Sequence, residues 1–266
     1  MAKINVWKPI LEGKKREKAI NSVLQIVEST KKYLKTCKEN DSSVAKRYAG
    51  VALLFHYLKK SNSDQIFGTD IEIFLEKAIS ELYTFEKNDH SLYFGPIGIM
   101  WAQNHIGYYS QYEATKYRGY QDLFFLDMIG EVDFKHNFDV MTGMIGLGIY
   151  GLQRYREAHL NELLPALVKL IEKISVSTSH GHTWESLTPS KGKIKSAKEW
   201  HYNLGLAHGS PCVISFLSAV YAKGIEKKLT GRLLNEAVRW LLWVDKENRG
   251  RGLPSTFTNS VRKATE

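Results

Sequence analysis

Apolar residues recur at three- and four-residue steps along most of the chain, which is the period of an amphipathic helix. Lys14–Lys35 places Ile20, Val23, Leu24, Val27, Tyr33 and Leu34 on one stripe. A second helix is predicted from Ser43, with Val51, Ala52, Leu54, Phe55 and Leu58 inward. Asp70–Phe85 gives a third, through Ile71, Phe74, Leu75, Ala78, Ile79 and Leu82. Asp70 stands at its start, where a carboxylate meets the exposed N–H groups. Gln121–Ile129 is short and very apolar. His159–Ser175 repeats the amphipathic pattern, and Lys227–Asp245 closes it with Leu229, Leu233, Ala237, Leu241 and Leu242. Period-two alternation is scarce, and Asn-Gly and Asp-Gly hairpin turns are missing. The expected class is all-α.

A second kind of helix lies between these. Gly50-Val-Ala-Leu-Leu-Phe, Gly95-Pro-Ile-Gly98-Ile-Met, Gly143-Met-Ile-Gly146-Leu-Gly148 and Gly209-Ser-Pro-Cys-Val-Ile each open a run that is apolar on most faces. Helices of that composition are buried on most sides. Their starts step by 45, 48 and 66 residues, which points to a helical repeat. The longest step holds Val176–Trp200, rich in Ser, Thr, His, Gly and Lys, which reads as a loop without a core of its own. An open solenoid and an α/α toroid both fit the repeat. Glycine pairs at the mouths of the buried helices favour the toroid, with those helices as an inner ring and the amphipathic ones outside.

Composition narrows this picture. A compact chain of 266 residues buries roughly 70–75% of its unfolded surface. No apolar run reaches the ~18 residues of a membrane span, and Met1–Lys14 lacks a secretory pattern. Two cysteines, Cys37 and Cys212, give no disulfide framework, so a reducing cytoplasm is the simplest setting. The net charge is +9, and Lys14, Lys15, Arg16, Lys18, Lys31, Lys32, Lys35, Lys38, Lys46, Arg47, Lys59 and Lys60 crowd the first sixty residues. A solvated outer face accounts for them, and an acidic peptide is the alternative partner. No zinc-finger spacing, RNA-binding aromatic motif or basic zipper helix points to nucleic acid.

Candidate chemistry sits just before two of the glycine-led helices. Asp139 precedes Gly143, and His208 precedes Gly209. In a toroid both lie toward one end of the ring, where a carboxylate can set the tautomer of an imidazole used for acid–base work. The plainer reading is that Asp139 caps its helix and His208 satisfies local backbone. His180-Gly-His182, with His201 and His208, is a weaker, metal-like grouping. His56 and His105 lie on helices and read as packed or exposed. Cys212 at a helix start reads as an inert buried thiol, with a nucleophile as the alternative. Asp139 with Glu185 as a glycosidase pair has no support in spacing.

The segments Phe138-Asp139-Val-Met-Thr-Gly143-Met-Ile-Gly146-Leu-Gly148 and Gly205-Leu-Ala-His208-Gly209-Ser-Pro resemble the lanthionine synthetase C-like cyclases, over about Ser43 to Asp245. The resemblance implies an α/α toroid of seven helix pairs. It implies addition of a cysteine thiol to a dehydroalanine or dehydrobutyrine of a peptide, forming a thioether ring. It also implies a zinc ion on the substrate thiol, with His208 and Asp139 as the acid–base groups. A peptide substrate or its leader, and a dehydratase, are the partners it suggests. The family's zinc-ligand elements, Trp-Cys-Tyr-Gly and Cys-His-Gly, do not occur in this sequence, so no zinc ligand is assigned. The expected organisation is one domain over 1–266, carrying four to five of the seven pairs, with an open edge suited to self-association. A non-catalytic module that holds an acidic leader peptide in a curved groove is the competing expectation.

Overall fold

A computed structural model describes residues 10–36, 42–61, 68–85, 89–107, 137–157, 160–186, 201–248 and 252–258. The chain divides into two compact units, Met1–Asp41 and Ser42–Glu266. The first contributes α1, Gly13–Thr36, with Val27 buried and Ile26 and Tyr33 exposed. In the second, α2 is Tyr48–Ser61, α3 Gly68–Ser80, α4 Pro96–Ile106, α5 Met144–Gln153 and α6 Leu163–Lys173. Then follow β1 Val176–Thr178, β2 Gly181–Thr183, β3 His201–Asn203, α7 Ser210–Ala222, α8 Lys227–Glu247 and β4 Thr256–Thr258. A 3₁₀ turn, Leu82–Thr84, follows α3.

Two burial patterns separate the helices into layers. In α5, Met144, Ile145, Gly146, Leu147, Gly148, Tyr150 and Gly151 are all buried, so the helix has core around most of its girth. α4 is similar, with Ile97, Gly98, Ile99, Met100 and Ala102 buried. By contrast, α8 buries Thr230, Leu233, Ala237, Trp240 and Val244, one stripe at steps of three and four. The contacts follow the same division. α2 packs on α4, α4 on α5 and α5 on α7, while α3, α6 and α8 lie against α2, α5 and α7 in turn. α5 and α7 approach so closely that a Cβ on Gly148 would stand 2.4 Å from the ring of Phe216.

Three sequence expectations change. α2 begins at Tyr48, not Ser43, and Gly50 lies inside it rather than at its mouth. Gly50 corresponds to Gly98 and Gly146, because at each of the three a Cβ would strike the carbonyl six residues upstream: Val44, Leu92 and Val140. The repeat is therefore 48 residues in both early steps, and the 45 came from pairing unlike glycines. The helix expected over His159–Ser175 is Leu163–Lys173. Gln121–Ile129 lies outside the described residues.

The supposed loop after Val176 is also corrected. β1 and β2 pair antiparallel, and the hairpin packs against α8. Gly181 makes this possible: its φ is +133°, and a Cβ there would lie 2.1 Å from the Glu236 carbonyl. Trp184 follows directly, is fully buried, and donates its indole N–H to the Ile171 carbonyl at 3.0 Å. The polar composition hid a segment anchored by one aromatic side chain. Residues 187–200 lie outside the described set. Trp184→Ala should lower unfolding stability by about 3–5 kcal/mol, read from the urea midpoint. An unchanged midpoint would restore the free-loop reading.

Candidate functional site

Three of the inner helices open identically. Gly95, Gly143 and Gly209 are the N-cap residues of α4, α5 and α7, with φ of −126°, −110° and −124° and ψ of −171°, −169° and −177°. Before each one the chain doubles back on itself. A Cβ on Gly209 would lie 2.0 Å from the Asn203 carbonyl, and one on Gly143 would lie 2.5 Å from the Asn137 carbonyl. The missing side chain is what lets the turn close.

Backbone hydrogen bonds then tie each turn to the next. Ala45 N–H donates to the Tyr93 carbonyl (2.9 Å), Tyr93 N–H to the Met141 carbonyl (3.0 Å), and Val140 N–H to the Ala207 carbonyl (3.1 Å). The last of these joins the residues beside Asp139 and His208, although 69 positions separate the two side chains in sequence. It brings them into contact. His208 Nδ1 and Asp139 Oδ2 are 2.8 Å apart, with the histidine side chain 40% exposed and the aspartate 17%.

Asp139 serves two purposes at once. Its Oδ1 accepts the Thr142 N–H at 2.7 Å and the Gly143 N–H at 3.1 Å, holding the turn ahead of α5, while Oδ2 faces the imidazole. The capping alternative is corrected: Gly143 is the N-cap of α5, and the N–H groups of Met144, Ile145 and Gly146 donate to the backbone carbonyls of Asn137, Phe138 and Asp139, not to the Asp139 side chain. A carboxylate held by these donors offers only acceptor oxygens, so the bond to His208 is donated by Nδ1–H. That fixes the tautomer and leaves Nε2 as the nitrogen able to take or give a proton.

A sequence model of the family described as lanthionine synthetase C-like protein matches residues 38–263. The chain belongs to the lanthionine synthetase C-like family. Its fold is the helical toroid of that family: a solved structure of "Nisin cyclase" matches with a TM-score of 0.63 at 17% identity, covering 88% of this chain. The match spans 58% of the nisin cyclase chain. No curated protein sequence matches this one.

The other sequence candidates fall away from the pair. Cys212, in the first turn of α7, is buried, and burial together with the charge of Asp139 pushes its thiol up to about 12. Its burial and a thiol kept protonated at neutral pH favour the inert reading over the nucleophile. His182 holds the hairpin, with Nδ1 bonded to Ser175 Oγ at 2.9 Å and Nε2 to Glu236 at 2.7 Å. The ring of His180 stacks on Trp243 at 4.2 Å. The His-Gly-His grouping is thus explained by packing. Among the described residues, no three His, Cys, Asp or Glu gather as metal ligands, so zinc finds no fitting donor set there. Cys37 lies outside the described residues, and His201 contributes backbone to β3.

His105 accepts or donates through Nε2 to the Tyr57 hydroxyl at 2.6 Å and stacks on Trp101. His56 beside it titrates below its ordinary value, through burial and then the charges of Lys60, His105 and Lys59. Ser91, Asn137 and Thr142, which bond onto or within the turn that carries Asp139, were not singled out from sequence. Aligning the turns on Gly95, Gly143 and Gly209, rather than on Gly50, would have brought them forward. Native chain treated with iodoacetamide at about pH 8 should remain unmodified at Cys212, while urea-unfolded chain is modified within minutes, its thiol returning to about 8.5. Peptide mapping reads the site, and rapid native modification of Cys212 would contradict the burial.

Proposed function

We propose that this chain contributes the acid–base half of a lanthionine-forming cyclisation. The observation that carries the reading is the 2.8 Å bond between His208 Nδ1 and Asp139 Oδ2, formed by the two motif positions that define the family resemblance. In the reaction a peptide cysteine thiol adds to the β-carbon of a dehydroamino acid. The C–S bond forms as the C=C π pair moves toward the carbonyl, giving an enolate. His208 Nε2 takes the thiol proton or protonates the α-carbon of that enolate; over the whole reaction the thiol hydrogen ends on the α-carbon. Asp139 holds the ring in the Nδ1–H form and stabilises the imidazolium while the proton is in transit.

Zinc is left out of this scheme, because the described residues present no fitting ligand set for it. No helix among the described residues is long and apolar enough to cross a membrane. A peptide substrate, a dehydratase that acts before this step and a reducing cytoplasm, which keeps the reacting thiol free, belong to the same proposal. A second reading draws support from α1, where Lys14, Lys15, Arg16 and Lys18 are exposed together with Ile26 and Tyr33. Such a face suits an acidic, partly apolar leader segment, and binding there would weaken with salt and survive His208→Ala.

Ring closure leaves peptide mass unchanged, so the test reads the free thiol by the mass that N-ethylmaleimide adds. With a peptide carrying one dehydroalanine and one cysteine, the wild-type chain should protect the thiol faster than buffer does. His208→Ala should abolish the acceleration. Asp139→Asn keeps an acceptor oxygen for the Thr142 and Gly143 N–H groups yet should slow closure by about 10²–10⁴-fold, because its amide favours the wrong imidazole tautomer. A wild-type rate equal to buffer, or a His208→Ala rate equal to wild type, would contradict the proposal.

A further inference from the structure

We propose that Ser91 is a positioning residue for the His208–Asp139 pair, fixing the turn that carries Asp139. The inference rests on the acid–base reading above. Counted back from the cap glycines, Ser91 and Asp139 hold the same place, four residues before Gly95 and Gly143. Both accept the N–H three residues on: Phe94 N–H reaches Ser91 Oγ at 2.9 Å, and Thr142 N–H reaches Asp139 Oδ1 at 2.7 Å.

A hydroxyl differs from a carboxylate in that it also donates. Ser91 directs that hydrogen into the next turn, to the Met141 carbonyl at 2.9 Å. Met141 lies between Asp139 and Thr142, and its carbonyl also receives the Tyr93 N–H at 3.0 Å. On the opposite flank, Val140 N–H holds the Ala207 carbonyl next to His208. The Asp139 turn is thus clamped from both sides, and Ser91 supplies a side-chain bond of that clamp. Ser91 is only 6% exposed, so water does not readily replace its hydroxyl if it is removed. The turn then keeps its Tyr93 and Val140 backbone bonds but is held less tightly at Met141. A carboxylate–imidazole bond is sensitive to a few tenths of an ångström, and a released neutral imidazole drifts toward the Nε2–H form that free histidine prefers.

The test is long-range ¹H–¹⁵N imidazole spectroscopy of the full chain at about pH 8, above the ordinary histidine value. His208→Ala identifies the His208 signals. The wild type should show His208 mainly as Nδ1–H, and Asp139→Asn should invert this. Ser91→Ala should lower the Nδ1–H to Nε2–H ratio about three- to tenfold, the effect of losing one modest hydrogen bond. Ser91→Asp, the residue the register already accommodates at 139, keeps the acceptor for Phe94 N–H and loses the donor to Met141. It should move the ratio the same way, and it stands in if the alanine variant fails to fold. Ser43→Ala, at the same register one turn further from the pair, should leave the ratio unchanged. An unmoved ratio in folded Ser91→Ala or Ser91→Asp, or an equal shift in Ser43→Ala, would overturn the role. A wild-type spectrum dominated by Nε2–H would overturn it with the pair. The spectra do not depend on turnover, so a shifted Ser91 variant of a chain that closes no rings would contradict only the proposed function.

Discussion

The site depends on how the turns before the inner helices close and join. At Gly143 and Gly209 the turn folds back until the cap glycine meets the carbonyl six residues earlier. The closed turns then share backbone hydrogen bonds, from Ala45 to Tyr93, from Tyr93 to Met141 and from Val140 to Ala207. Helix packing alone would leave each turn free to shift along its axis. The shared bonds remove that freedom, and they do so where Asp139 and His208 must meet. Packing still sets how close the turns can come. Gly148 against Phe216 lets α5 and α7 approach, and that nearness is what permits the Val140–Ala207 bond.

Burial around the pair is uneven, and this suits its chemistry. His208 remains partly exposed, as the proposed proton transfer to a substrate requires. Asp139 is more enclosed and is held by two backbone donors at the start of α5, where the helix favours negative charge. Behind it Cys212 is protonated by the same burial and the same charge. One carboxylate therefore orients the imidazole, holds the turn ahead of a helix and adds its charge to the burial that keeps a neighbouring thiol protonated. Removing it altogether would confuse these effects, which is why an isosteric amide is the informative replacement.

Much of this was legible in the sequence, and the limits have physical causes. The layers were legible because buried and amphipathic helices differ in how many faces carry apolar residues, as α5 and α8 show. His208 and Asp139 were legible because each stands just ahead of a glycine-led apolar helix. Their direct bond was not, since it depends on turn-to-turn backbone contacts that leave no side-chain signature. Ser91 was hidden for the same reason, and a misplaced Gly50 obscured the 48-residue register that reveals it. The β1–β2 hairpin escaped notice because strands of three residues are too short for alternation to be recognised. Its anchor, Trp184, lies among polar neighbours, and only its burial shows what it does.

The central claim is that Asp139 and His208 act as one unit. A double-mutant cycle on the rate of thioether formation addresses it most directly, using His208→Ala, Asp139→Asn and the combined variant. If Asp139 works through the imidazole, removing it from a chain that already lacks His208 costs nothing further, and the double variant matches His208→Ala. If the two effects multiply instead, Asp139 acts independently of His208, and the pair is not the working unit.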